Sequence, residues 1–130
     1  MNDTNTESKK TILVAEDEAD LREALFTILT SEGFEVLLAE DGEQALDLAF
    51  KNKPDLILLD MIMPNVDGHG VLDKLRNDEW GKNVKVIVLT ALSDLNSLSK
   101  TLEHGGLEYL VKTDWKLEDI ATRVRQRLED

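Results

Sequence analysis

The chain has 130 residues, 42% of them apolar, with no cysteine and a formal net charge of −12. This is enough for one compact domain and one core, and it excludes disulfides, thiolate zinc sites and a cysteine nucleophile. An acidic chain of this kind is expected not to bind nucleic acid through its bulk field, because a phosphate backbone is held by cations.

The first segment, residues 1–10, is polar and aperiodic, and reads as a flexible tail ahead of a folded domain over 11–130. It has no apolar signal core, and no apolar run is long enough to cross a bilayer, so a cytoplasmic protein with no membrane partner is expected. From Thr11 onward, short branched apolar runs alternate with amphipathic stretches. The runs are Ile12–Ala15, Val36–Ala39, Leu56–Leu59, Val86–Leu89 and Tyr109–Val111. Their near-continuous apolar character suits parallel strands covered on both faces.

Leu21, Ala24, Leu25, Ile28 and Leu29 recur at helical spacing, with Gly33 as the stop. Asp41-Gly42 precedes a helix carrying Ala45, Leu46 and Ala49, ended by Pro54. Val71, Leu72 and Leu75 mark a third helix, and Leu95, Leu98 and Leu102 a fourth. Leu117, Ile120, Ala121, Val124 and Leu128 mark the last, with Asp114 as its expected N-cap. Five strand–helix units in series predict an α/β fold, a doubly wound five-stranded parallel sheet, and the flavodoxin-like strand order 2-1-3-4-5 is adopted by analogy with that fold type. Ligands of such sheets sit beyond the carboxyl ends of the strands.

The residues at those ends are polar. Glu16, Asp17 and Glu18 follow the first run, Asp60 the third, Thr90 the fourth and Lys112 the fifth. Taken one at a time they are ordinary: Asp17 as a helix cap, Asp60 as a turn residue, Thr90 as a strand residue, Lys112 as a solvated end. Taken together, at equivalent ends of parallel strands, they make one site. Crowded carboxylates need a positive partner, and a hard divalent cation with oxygen ligands, Mg²⁺, supplies it. Asp60 is then available as a nucleophile, Lys112 to neutralise phosphoryl oxygens and Thr90 to donate a hydrogen bond.

The stretches ILVAEDE, LILLDMIMPNVDG, VIVLTA and YLVK, in this order and spacing, resemble the receiver domains of two-component response regulators, from Thr11 to about Leu128. The resemblance implies that Asp60 is the phospho-acceptor and a metal ligand. It implies Asp17 as a direct Mg²⁺ ligand, Glu16 acting through water, and the Ile62 backbone carbonyl as a third protein ligand. Thr90 and Tyr109 would be the switch pair, and Lys112 the partner of the acceptor. The implied donor is a sensor histidine kinase or phosphotransfer protein. Because the sequence ends directly after the last helix, output is expected through contacts with a downstream protein alone. Such a domain catalyses only its own phosphorylation and dephosphorylation.

Two departures from the family pattern stand out. Lys112 is followed by Thr113 where relatives often have Pro, so a trans peptide is expected, the cis form costing about 2.5–4 kcal/mol without Pro. The residues two past Asp60 and two past Thr90 are apolar, Ile62 and Leu92, which predicts a long-lived phosphoryl group. His69 and His104 show no metal-ligand spacing, Trp80 and Trp115 read as packing residues, and Arg123, Arg125 and Arg127 as a solvated face. A degenerate receiver that binds partners constitutively is the alternative, disfavoured by the intact acceptor, acidic pair and Lys. An aspartate-based phosphatase would place a second Asp where Ile62 stands. A flavin or dinucleotide carrier would need a phosphate-binding loop where Glu16-Asp17-Glu18 stands.

Overall fold

The computed structural model describes residues 9–91 and 108–129. Five strands form one parallel sheet: β1 (Thr11–Ala15), β2 (Glu35–Ala39), β3 (Leu56–Asp60), β4 (Lys85–Thr90) and β5 (Glu108–Val111). Their order is β2-β1-β3-β4-β5, as the sequence predicts. The described helices are α1 (Ala19–Ser31), α2 (Gly42–Asn52), α3 (Gly68–Arg76) and α4 (Leu117–Glu129). The helix expected at Leu95, Leu98 and Leu102 lies outside the described residues, as do residues 1–8 of the expected tail. Lys10, at the end of that tail, is tied to the sheet: Glu35 N donates to its carbonyl at 2.9 Å.

Side chains on a strand point alternately to opposite faces, and this sheet uses both faces to build core. Leu13, Ile57, Leu59, Val86 and Val88 pack with Ala45, Ala49, Leu72 and Leu75 of α2 and α3. Their strand neighbours Ile12, Val14, Leu56, Leu58 and Ile87 pack with Leu25, Leu29, Ile120 and Val124 of α1 and α4. Among the described residues, covering on both faces holds for the three inner strands only. On the edge strands, Val36, Leu37 and Leu38 of β2 and Val111 of β5 remain half-buried.

Local chemistry sets most helix ends. Asp41 Oδ1 accepts from Gln44 N at 2.8 Å at the start of α2. That helix closes on Lys53 in the left-handed region (φ 48°), directly before Pro54. Gly33, at φ 95°, follows α1. The end of the chain departs from expectation. Asp114 does not cap α4, because Lys112–Asp114 form a single 3₁₀ turn directly behind β5 and the helix begins three residues later. Asp119 reaches back instead, accepting from Lys116 N at 3.4 Å. The Lys112–Thr113 peptide is trans.

The three arginines of α4 are not a solvated face. Arg123 makes two charged hydrogen bonds to Glu108, and Arg127 Nε lies 3.9 Å from the same carboxylate. Arg125 pairs with Glu32 at 2.5 Å and stacks its guanidinium 5.5 Å from the centre of the Phe34 ring. Charge therefore links α4 to β5 and to the end of α1. No helix among the described residues is long and apolar enough to cross a membrane.

Candidate functional site

Strand register decides which polar residues meet. Ala15 pairs with Ala39 and Leu59, Asp60 with Leu89, and Thr90 with Val111. The residues at or just past these pairs are Glu16, Asp60, Thr90 and Lys112, so all four arrive at the carboxyl end of the sheet. Glu16 is fully buried and Asp60 is 3% exposed. Glu16, Asp17 and Asp60 each offer a carboxylate oxygen within 4.8 Å of the others. Lys112 Nζ lies 3.1 Å from Glu16 Oε1 and 3.3 Å from Asp60 Oδ2. A cavity of about 270 Å³ opens here, lined by Glu16, Asp17, Asp60, Ile62, Ala91 and Lys112 among others.

Among the described residues, one ammonium pairs with two of the three clustered carboxylates. Burial, and then the charge of Glu16, push Asp60 up from an ordinary 3.8 to about 7, against the opposing pull of Lys112 and the Ile62 N–H. For Lys112, burial is the largest single influence and disfavours the ammonium. Asp60 and Glu16 together outweigh it and raise its pKa. Glu16 Oε2 accepts from Glu18 N at 3.0 Å, whereas its Oε1 is in charge contact with Lys112 and has no aligned hydrogen bond among the described residues. A cluster of three carboxylates with one nearby ammonium is short of positive charge, and its all-oxygen donor set fits a hard divalent cation.

Two loops hold these groups. The first is the acidic turn between β1 and α1. Glu16 N donates to Ala39 O at 3.0 Å. Arg22 Nη1, from the first turns of α1, donates to the carbonyls of Glu16 at 2.9 Å and Asp17 at 3.3 Å. The second is the β3–α3 loop, which carries Ile62. A Cβ on Gly68 would sit 2.6 Å from Met61 Cα, so only glycine permits this turn. Gly42 permits an equally close approach to Val66 from α2, and Asn65 Nδ2 donates to Asp41 Oδ2 at 2.9 Å beside it.

Not every residue singled out from the sequence faces the cavity. Thr90 is buried, and its hydroxyl donates to Ala91 O at 3.2 Å. Tyr109 is 42% exposed on the edge strand β5. Ile62 stands at the cavity rim, 58% exposed, its N–H donating to Asp60 Oδ1 at 3.2 Å. Leu92 and His104 lie outside the described residues. Trp80 packs edge-on against Phe50, whereas Trp115 is partly exposed. Sequence reasoning missed Arg22 and the Asn65–Asp41 bond. An Arg one turn into a helix behind an acidic turn was the available signal for the first. The second joins residues 24 apart and had none.

A parallel α/β sheet with a carboxylate cluster and one lysine at its carboxyl edge defines the class of protein. The model of the response regulator receiver domain matches residues 12–125, and the chain belongs to that family. It is 38% identical to the probable transcriptional regulator ycf27 of Guillardia theta, over 95% of this chain and 47% of that protein. It is also 38% identical to the DNA-binding response regulator MtrA of Mycobacterium leprae, over 92% of this chain and 52% of that protein. Among solved structures, a Francisella response regulator receiver domain aligns at TM-score 0.82 and 30% identity, covering 93% of this chain and 98% of that one. The receiver domain of a Pseudomonas aeruginosa sensor histidine kinase aligns at TM-score 0.83 and 29% identity, covering 95% of this chain and 100% of that one. It is described with a magnesium ion coordinated in its active-site cleft.

The chain spans about half the length of the curated relatives it matches. This corrects one expectation. An absence of nucleic-acid partners does not stand, since relatives are named as DNA-binding and transcriptional regulators. The net charge of −12 describes only the residues it counts, and a field argument on one segment carries no information about proteins of twice its length. Output through protein contacts alone falls with it.

Proposed function

We propose that this domain accepts a phosphoryl group on Asp60 from a histidine kinase or phosphotransfer protein, with Mg²⁺ bound beside it. The observation that carries the reading is the placement of Asp60. It is a buried carboxylate at the end of β3, 3.3 Å from Lys112 and within 4.8 Å of two further carboxylates. In the transfer, an Asp60 carboxylate oxygen forms the new P–O bond as the P–N bond of the donor phosphohistidine breaks. The imidazole leaves with the electron pair and takes a proton. Lys112 meets the charge of the phosphoryl oxygens. The Thr90 hydroxyl gives up Ala91 O to donate to one of them, and Tyr109 responds to that movement as the second half of the switch.

Asp17, exposed at the cavity, would hold Mg²⁺ directly with Asp60 and the Ile62 carbonyl, and Glu16 would act through water. The engagement of both Glu16 oxygens, with Lys112 and with Glu18 N, supports that division. Bound there, Mg²⁺ supplies Lewis-acid neutralisation of the phosphoryl charge. The domain catalyses its own phosphorylation and dephosphorylation and turns over no external substrate. It works in the cytoplasm, where donors charged from ATP are found. A constitutive, phosphorylation-free role is disfavoured by the intact set of Asp60, Glu16, Asp17 and Lys112.

Intact mass after incubation with acetyl phosphate and Mg²⁺ tests the reading. The chain should gain one phosphoryl group, and Asp60→Asn none. Equal labelling of the two would end the assignment.

A further inference from the structure

The acidic turn needs a device to hold it, because its outermost ligand has none of its own. Asp17 is exposed, and among the described residues its carboxylate has no hydrogen-bond or ion-pair partner. Its direction is therefore set by the backbone. That backbone is fixed from one side by α1. Arg22 is half-buried, and its Nη1 bridges the carbonyls of Glu16 and Asp17 at 2.9 and 3.3 Å. Its own N–H donates to Glu18 O at 2.9 Å, so the same residue closes the first helical turn behind the acidic run.

We propose that Arg22 is a positioning residue for the metal site: by bridging the Glu16 and Asp17 carbonyls it presents the Asp17 carboxylate to the cation. The inference rests on the reading of this cluster as a Mg²⁺ site. It makes a prediction opposite in sign to simple electrostatics. A guanidinium beside a divalent-cation site repels the cation, so deleting the charge strengthens Mg²⁺ binding if charge is all that Arg22 contributes. If Arg22 holds the turn, deleting it weakens binding, because the ligand then pays the entropy of ordering on every binding event.

Calorimetric titration of the full chain with Mg²⁺, on wild type, Arg22→Met and Arg22→Lys, separates the two. Arg22→Met keeps the length of the aliphatic stem and removes donor and charge. It should bind Mg²⁺ about tenfold more weakly than wild type, the lower end of what loss of a supporting hydrogen bond costs a metal site. Arg22→Lys, with a donor on a more flexible stem, should fall between them. Melting in EDTA establishes that each variant is folded, and Arg22→Lys carries the test if Arg22→Met does not fold. Arg22→Met binding as tightly as wild type or more tightly would overturn the proposal. So would Arg22→Lys binding no better than Arg22→Met, which would assign the loss to guanidinium packing. If wild type itself fails to bind Mg²⁺, the metal-site reading falls and the proposal with it. Wild-type binding with no loss in Arg22→Met sinks the positioning role alone.

Discussion

The two ends of the sheet treat charge in opposite ways. At the amino end, polar groups are matched. Asp55 Oδ2 accepts from Thr11 N at 2.8 Å, and Asp55 N returns a bond to Thr11 O. Lys85 Nζ donates to the carbonyls of Arg127 and Leu128, at 2.9 and 3.3 Å, where α4 ends and its carbonyls lack helical partners. Arg76 Nη1 donates to Gly81 O and Val84 O, although its buried Nε has no hydrogen-bond partner among the described residues. At the carboxyl end, three carboxylates cluster, Lys112 pairs with only two of them, Glu16 and Asp60, and Asp60 is pushed up to about 7. One end spends its charges on the fold. The other keeps an imbalance that only a bound cation or a proton relieves.

That contrast has a pH signature. With its pKa at about 7 in the folded chain and 3.8 ordinarily, Asp60 holds its proton in the folded state and loses it in the unfolded state between those values. Folding then takes up a proton, so this group's contribution to stability falls as pH rises from about 4 to about 7. Asp60→Asn should therefore stabilise the metal-free protein at pH 8 by on the order of 2–4 kcal/mol and change little at pH 4. Asp55→Ala, at the other end, should cost about 1 kcal/mol at pH 8, because it strips the Thr11 N–H of its acceptor. Urea titrations in EDTA at the two pH values check both. Equal signs for the two variants at pH 8 would erase the distinction between the ends.

How much of this was legible follows from distance along the chain. Strand and helix positions rest on local periodicity, so the run Leu56-Ile57-Leu58-Leu59 and the Asp41 cap declared themselves, whereas the strand order comes from analogy with a known fold type. The site was legible because parallel register carries strand-end residues to one edge whatever the loops do. Contacts set by side chains that cross between elements were not. Nothing local tells Arg125 to reach Glu32, 93 residues away, or Asn65 to reach Asp41. The Asp114 cap failed for a local reason: a 3₁₀ turn consumed the residues that a helix start would have used. A segment's charge also proved a poor guide to the partners of longer relatives.

Within the carboxyl end, the contrast sharpens between Asp17 and Glu16. Glu16 already has its charge opposed by Lys112 at 3.1 Å and a backbone donor on its other oxygen, while Asp17 has neither. On the proposed assignment, removing Asp17 would delete a coordinate bond, whereas removing Glu16 would lose a water-bridged contact and free Lys112 for Asp60. Asp17→Ala should weaken Mg²⁺ binding at least about tenfold, and Glu16→Ala by less. A titration giving the reverse order would exchange the two roles.

The smallest expected effect concerns the rim of the same cavity. Loss of the phosphoryl group needs a water aligned behind phosphorus, and a polar side chain there can hold that water and assist its deprotonation. Ile62 lines the cavity and cannot hydrogen-bond water, although at 58% exposure it shields the approach only in part. Its N–H is already committed to Asp60 Oδ1, so the backbone offers no replacement donor. Leu92 is the second apolar position of the pair. Ile62→Asn with Leu92→Glu should therefore shorten the phosphoryl lifetime of the isolated protein by a few-fold, within the roughly 1.4 kcal/mol that a tenfold rate change represents. Both substitutions leave Asp60, Lys112 and the acidic pair untouched, so the yield of labelling should stay the same while its decay accelerates. Decay followed by intact mass at fixed Mg²⁺ measures this directly. A double variant that decays no faster than wild type would mean that water already reaches the phosphorus unassisted, and that these two positions do not set the decay.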